Sequence, residues 1–384
     1  MNNICLYTES TEPSGMGRLM LILAAELRSY YNFSFVCPPS AEGNRLLKEA
    51  AALGLTTYAL SRPEDFHGWL SMQSVDVLHN HAGIGWEGHS GVHIAHGEKI
   101  PVVRTEHLPY LITDEAQKAE HQQLMGLVER LVCVSKGVHH SFLTAGIAPN
   151  KLSVVQNGII PPISNINRQK TRQKLLQQGF PIPVDAPLFL SVGRFAEQKN
   201  YDILLHCIPI VLQKYPTAQW LLVGTGPLLE DKKRLVEELN LTHCVHFTGS
   251  RNDVPDLMQA SDALVVPSLF EGLPLIVLEA MALHLAVIGS DVCGIAETVR
   301  DGVTGRLVPL NDVSALAAAM RELLNDRTLA TTWSATAYKD FQQHWTAKRM
   351  AIDMQKVYRE VMGVAKIFTL QPERSASLVG VQDK

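Results

Sequence analysis

The sequence predicts two doubly wound α/β domains in tandem. Three observations lead there. Short apolar runs alternate with helical patterns along most of the 384 residues, the rhythm breaks once at a Pro- and Asn-rich stretch, and polar and charged residues gather just after the apolar runs. Alternation of this kind implies parallel strands joined by crossover helices, in sheets covered on both faces.

In the first half, Ile4–Tyr7 is strand-like, a Pro/Ser/Gly loop (Glu12–Gly17) follows, and Arg18–Tyr30 has helical spacing. Phe33–Cys37, Val75–His79, Val102–Thr105, Leu131–Ser135 and Leu152–Gln156 are expected as further strands. The stretch NGIIPPISNINRQK (157–170) has the composition of a linker. Strands are expected again at Leu188–Val192, Trp220–Val223, Val245–Phe247, Ala263–Val266 and Val287–Gly289. The domains are therefore set at 1–160 and 171–344. A helical pattern at Trp345–Met362 follows the last unit, and the weakly periodic tail 365–384 is expected to be mobile.

Composition narrows the function. Hydrophobic residues make up 46% and charged residues 19%, enough for sizeable cores. A net charge of −4 gives no general pull toward nucleic acid or anionic lipid, so a bound anion must be gripped locally. The six cysteines form no CxxC pair and read as reduced core thiols. MNNICLYTES is not a signal peptide, and no run approaches the roughly 18 apolar residues of a spanning helix. A cytoplasmic protein is expected, with peripheral contact at the inner membrane face left open.

Open sheets of this type bind ligands beyond the carboxyl ends of their strands, so the residues after each strand matter most. In FLSVGRFAEQKN, Arg194 and Lys199 lie between a strand and the next helix, where two cations and helix amides suit a diphosphate. In ALVVPSLFEGLPLIVLEAM, Glu271 falls in a turn and Glu279 inside an apolar helix. That spacing is not an i, i+4 pair and does not imply a paired-carboxylate hydrolase. Glu271 could meet sugar hydroxyls and Glu279 ribose hydroxyls, and free amides near Leu275 and Ile276 could face a phosphate. A buried carboxylate such as Glu279 needs a partner of some kind.

Taken together, GRFAEQKN, the E-x7-E pair, the LLVGTGPLLE turn and the VVQNGI linker resemble glycosyltransferase family 4, from about Asn2 to Met362. That resemblance implies a GT-B fold, two Rossmann-like domains facing a central cleft. It also implies retaining transfer from a nucleotide-sugar, with a UDP- or GDP-sugar the expected donor and an unidentified hydroxyl acceptor. Matching positions carry the implied roles. Arg194 and Lys199 would bind the donor diphosphate, Glu271 the transferred sugar and Glu279 the ribose. Gly15 and Gly17 would let the backbone approach the sugar-phosphate region, Arg251 would border the base, and His107 would face the reacting sugar. The terminal helix would return to the first domain. Two positions depart from the family pattern: Cys293 stands where a glycine is common, and SGMG replaces a double glycine.

No Asp-x-Asp pair occurs, so metal-independent transfer without any cofactor is expected. The histidines His89, His93 and His96 share a helical face, but a surface role is preferred to zinc. His79 and His81 follow a strand and are expected to border the cleft. GTGPLLE lacks the third glycine and the distant acid of a dinucleotide fingerprint. Arg168–Lys174 reads as a solvated helix face. A nucleotide-sugar isomerase of the 2-epimerase type and a non-catalytic nucleotide-sugar-binding protein are the competing functions.

Overall fold

The structure is a computed structural model that describes residues 1–10, 14–40, 44–164 and 166–363. The tail expected to be mobile lies outside the described residues. Thirteen strands form two sheets among them. The first contains β1 (Asn2–Thr8), β2 (Tyr31–Cys37), β3 (Thr56–Ala59), β4 (Val77–Ala82), β5 (Val102–Glu106), β6 (Arg130–Cys133) and β7 (Leu152–Val154). Its order is β3-β2-β1-β4-β5-β6-β7, every pairing parallel. The second contains β8 (Leu188–Val192), β9 (Gln219–Val223), β10 (Val245–Phe247), β11 (Ala263–Val266), β12 (Ala286–Ser290) and β13 (Arg306–Val308). Its order is β10-β9-β8-β11-β12-β13, again parallel throughout.

The central strands are buried along their whole length, as helices on both faces require: β4 and β11 have no exposed residue. Strand order reverses between β1 and β4 in one sheet and between β8 and β11 in the other. These are the points where a doubly wound sheet opens a crevice. Register brings Thr8 level with His81, and His81 level with Thr105, at the carboxyl edge of the first sheet.

The chain crosses between domains twice, and the crossings run side by side. The Ile159 amide donates to Trp345 O (3.0 Å) and the Ala347 amide to Ile159 O (2.9 Å). Gly158 permits this approach, since a Cβ there would overlap the Thr346 carbonyl. Thr346 then caps the helix Ala347–Val361 through its side chain. This helix begins two residues later than the sequence pattern suggests and packs on the first-domain helix Gly15–Leu27.

The basic stretch Arg168–Lys174 corrects its sequence reading. Arg172 is buried and donates to the carbonyls of Ala260, Pro183 and Ala186. Arg168 pairs with Asp262 and Lys174 with Asp253. Charge spacing alone could not separate a solvated face from one that ties the start of the second domain to its sheet.

Candidate functional site

The carboxyl ends of the two sheets face each other. His107, just after β5, lies against Gly272 in the loop that follows β11: a Cβ on Gly272 would overlap the His107 carbonyl oxygen. The helix starts Gly15–Leu27 and Leu275–Ala282 also meet, with Gly15 3.9 Å from Leu275 if given a Cβ.

On the second-domain side, β8 runs into Gly193 and Arg194, then a single turn at Glu197–Lys199. Gly193 leaves room for the Lys199 stem, whose Cε would stand 3.3 Å from a Cβ there. Because β8 lies beside β11, Lys199 meets Glu271 although they are 72 residues apart, Nζ to Oε1 at 2.5 Å. Ser268 Oγ donates to the same oxygen at 2.7 Å, and Gln198 Nε2 lies 3.4 Å from the other. Glu271 is thus buried, with Oε1 satisfied by two close donors and Oε2 keeping capacity to accept. Arg194 is exposed and has neither ion pair nor hydrogen bond from its guanidinium among the described residues.

Pro274 stands before the helix Leu275–Ala282, which has no side-chain cap. The amides of Leu275 and Ile276 therefore form its positive end without a side-chain cap. Four residues into that helix from Leu275, Glu279 is buried, and burial pushes its pKa up against the opposing charge of Arg18. Arg18 reaches across from the first domain, Nη1 to Oε1 at 2.8 Å. This contact is the partner that the buried carboxylate needs, and no sequence motif announces it.

Arg251 points elsewhere than at open space. Its Nε and Nη2 both lie 2.7 Å from Asp253, and Nη1 donates to Gln178 Oε1 at 2.9 Å. Burial would raise the Asp253 pKa, but hydrogen bonds from Arg251 and Lys174 outweigh it and hold it at about 2. In the GTGP turn, a Cβ at Gly224 (φ 140°) or Gly226 (φ 154°) would collide with the backbone of Gly193 or Phe195. These glycines serve close backbone approach to the GRF segment.

On the first-domain side, Gly15 and Gly17 occupy the first turn of a helix, and are not part of a loop as expected from sequence. Ser14 caps that turn, its Oγ accepting from the Gly17 amide at 3.4 Å. His107 donates its amide to Ala82 O (3.0 Å) and places its ring Nε2 3.0 Å from His81 Nδ1. Burial lowers its pKa to about 4, with Glu106 opposing weakly.

His79 and His81 do not border the cleft; both are buried, because β4 is covered on both faces. His79 lies 2.7 Å from Thr105 Oγ1 and 2.6 Å from the Tyr358 hydroxyl on the returning helix. Burial lowers its pKa to about 3 and that of His81 still more firmly.

Behind these rings stands a pair that sequence reading missed. Arg104 and Glu106 are both fully buried, Nε to Oε1 at 2.6 Å. Arg104 also donates to Asn80 Oδ1, Glu87 O and Gly85 O, fixing the segment that follows β4. The signal available was two opposite charges, RTE, inside a run otherwise reading as a buried strand.

The remaining histidines are dispersed. His89 is held by Glu120 and Gly85 O, each at 2.9 Å, while His93 and His96 are exposed. Among the described residues no group of three or more His, Cys, Asp or Glu is placed to hold a metal ion. All six cysteines are free, and Cys293 donates to Glu271 O at 3.2 Å.

Comparison with known proteins agrees with this arrangement. The family model described as Glycosyltransferase Family 4 matches residues 13–161, and that described as Glycosyl transferases group 1 matches 172–340. An uncharacterised glycosyltransferase of Methanocaldococcus jannaschii is 25% identical over 325 residues, 80% of this chain and 82% of the relative. An Escherichia coli UDP-Gal:alpha-D-GlcNAc-diphosphoundecaprenol alpha-1,3-galactosyltransferase is 31% identical over 190 residues, 48% of each chain. Anabaena HepE, solved in complex with UDP, superposes with a TM-score of 0.79 at 17% identity, covering 94% of this chain and 100% of that one. With one family model on each domain and a GT-B structure matching across both, the chain belongs to glycosyltransferase family 4.

Proposed function

We propose that this chain is a metal-independent, retaining glycosyltransferase that moves a sugar from a nucleoside-diphosphate sugar to a hydroxyl acceptor. The observation that carries the reading is one cluster at the β8/β11 crevice. It comprises Arg194 just after β8, with no partner for its guanidinium among the described residues, the Lys199–Glu271 pair, and the helix start at Leu275 that lacks a side-chain cap.

In the reaction, the bond between the sugar C1 and the β-phosphate oxygen breaks, and the acceptor oxygen bonds to C1. The acceptor proton passes to a donor phosphate oxygen. Negative charge grows on the leaving diphosphate, where Arg194, Lys199 and the Leu275 and Ile276 amides would stabilise it without a metal. Glu271 would take the hydroxyls of the transferred sugar, and Glu279 those of the ribose once Arg18 moves aside. Gly15 and Gly17, at the facing helix start, would border the sugar-phosphate, and His107 the sugar itself. Arg251 would border the base through its backbone, its guanidinium being committed to Asp253. Same-face attack with retention follows the family resemblance. Water must be kept from a hydrolysable donor, and the facing domain walls suit that need.

UDP is the first donor nucleotide to test, because the Anabaena fold neighbour binds UDP. A lipid-linked acceptor reached from the inner membrane face is consistent with the name of the Escherichia coli relative. No helix among the described residues is long and apolar enough to cross a membrane. An isomerase would need a carboxylate free to exchange protons with the sugar ring, whereas Glu271 is held by Lys199 and Ser268.

A thermal-shift panel of UDP, GDP, ADP, dTDP and NAD, with and without EDTA, tests the proposal. A ligand at a hundred times its dissociation constant stabilises by about 2.7 kcal/mol, a shift of a few degrees. One nucleoside diphosphate should dominate, insensitive to EDTA. Stabilisation by NAD alone, or only in the presence of divalent metal, would contradict it.

A further inference from the structure

We propose that His81 is a positioning residue: its Nδ1–H donates to Nε2 of His107, so that His107 carries its proton on Nδ1 and presents it toward the transferred sugar. The sugar-facing half of this statement rests on the transferase reading, while the position of the proton does not.

The geometry leaves two ways to share protons across the 3.0 Å contact between His81 Nδ1 and His107 Nε2. Burial keeps both rings neutral at pH 7, so each holds one ring proton. If His107 donated, the remaining proton of His81 would sit on Nε2. That nitrogen is buried and has no hydrogen-bond partner. An orphaned N–H in the interior is rarer and costlier than an idle acceptor lone pair. If His81 donates, Nε2 keeps only its lone pair there, and no N–H is buried unpaired.

The second arrangement has a consequence at the cleft. With Nε2 of His107 accepting, the His107 proton moves to Nδ1. This nitrogen makes no hydrogen bond with the described residues and is absent from their buried, unpartnered atoms, so it is open to a ligand. A neutral ring held in this form has only a donor to offer. His107 then acts on an oxygen of the sugar as a hydrogen-bond donor and not as a base. Its backbone is held by the His107 amide bond to Ala82 O, and its ring stacks on that of His81, centroids 5.2 Å apart. His81 itself is clamped by ring contact with His79, centroids 4.0 Å apart, and His79 is held by Thr105 and Tyr358. The second ring nitrogen of one histidine setting the tautomer of its neighbour is the logic familiar from metal-ligating histidines.

Two-bond ¹H–¹⁵N correlation spectra of the full chain with ring-labelled histidine read the tautomers directly. Signals are assigned by their loss in His81→Asn and His107→Gln. Both His81 and His107 should be neutral and protonated on Nδ1. His107 protonated on Nε2 in the unaltered protein would overturn the proposal, whatever its activity. In a transfer assay with the donor identified by binding, His81→Phe should lower kcat roughly 10- to 100-fold, with donor KM within about twofold. His81→Asn, whose amide N–H stands near the place of Nδ1, should recover most of that loss. An unchanged kcat in His81→Phe, or no recovery in a folded His81→Asn, would also overturn it. Should the Phe variant fail to fold, the spectrum of the unaltered protein still decides. Absence of transfer from any nucleotide-sugar would count against the transferase reading, and leave the tautomer result standing.

Discussion

The two walls of the cleft handle charge in opposite ways. The first-domain wall balances its charge internally: Arg104 and Glu106 are paired out of contact with water, and three histidines are held neutral by burial. The second-domain wall is incomplete in its own terms. Arg194 has no anion among the described residues, and the helix at Leu275 has no cap. A wall whose charges are already paired can fix the position of a reacting group, while a wall with unmatched positive ends attracts a ligand. On the proposed function, the first domain would orient and the second would bind the anion.

Substitutions can break this contrast, and they are ordered here by expected size. Arg104→Met leaves buried Glu106 with only His121, 4.0 Å away, beside it, and should cost about 3–5 kcal/mol in denaturant unfolding. A cost below 1 kcal/mol would mean that the first wall does not depend on its buried pair. Lys199→Ala should reduce transfer about 10²- to 10³-fold, the usual loss when one group stabilising developing negative charge is removed. Circular dichroism should show the fold intact.

Acid should weaken the first wall. His79 and His107 have folded pKa values of about 3 and 4, below the unfolded 6.5. The unfolded chain therefore binds more protons below pH 6.5, and stability present above that value is lost as pH falls toward 4. The slope reaches at most about 1.4 kcal/mol per pH unit for each imidazole, more nearly so for buried His79 than for part-buried His107. Denaturant midpoints at pH 7 and pH 5 measure it, and a flat response would contradict the burial of neutral rings. The smallest effect belongs to Arg18→Ala. Its guanidinium is half exposed, but Glu279 is buried and loses its charge partner, so the cost should be about 1–2 kcal/mol, held down because a carboxyl whose pKa is already raised can take up a proton.

Much of the fold is legible locally. Strands β8, β10 and β11 fall at the bounds that their apolar-rich runs predict. The missed strands are edges: β3 has no buried residue and β13 has three residues in all, so neither carries a strong pattern. The start of the first helix moves from Arg18 to Gly15 because the Ser14 cap, and not the apolar periodicity, sets it.

At the site, reading strand ends picks out Arg194, Lys199 and Glu271. Contact between Lys199 and Glu271 depends on β8 lying beside β11, which no local pattern carries. Arg18 and Glu279 meet only through the approach of the two domains. His79 and His81 are expected at the cleft border, yet the central place of β4 buries them. Arg172 is hidden from spacing arguments for another reason: its partners are carbonyls, which leave no trace in side-chain patterns.

The division of labour between the walls is tested most directly by calorimetric titration of the preferred nucleoside diphosphate into three variants, Arg194→Ala, Lys199→Ala and His81→Asn. Loss of either second-wall cation should raise Kd about tenfold or more, as expected for a charge-assisted contact of at least 1.4 kcal/mol. His81→Asn should leave Kd within about twofold of the unaltered protein. Equal weakening in all three, or unchanged binding in both cation variants, would contradict the assignment of the diphosphate to the second-domain wall.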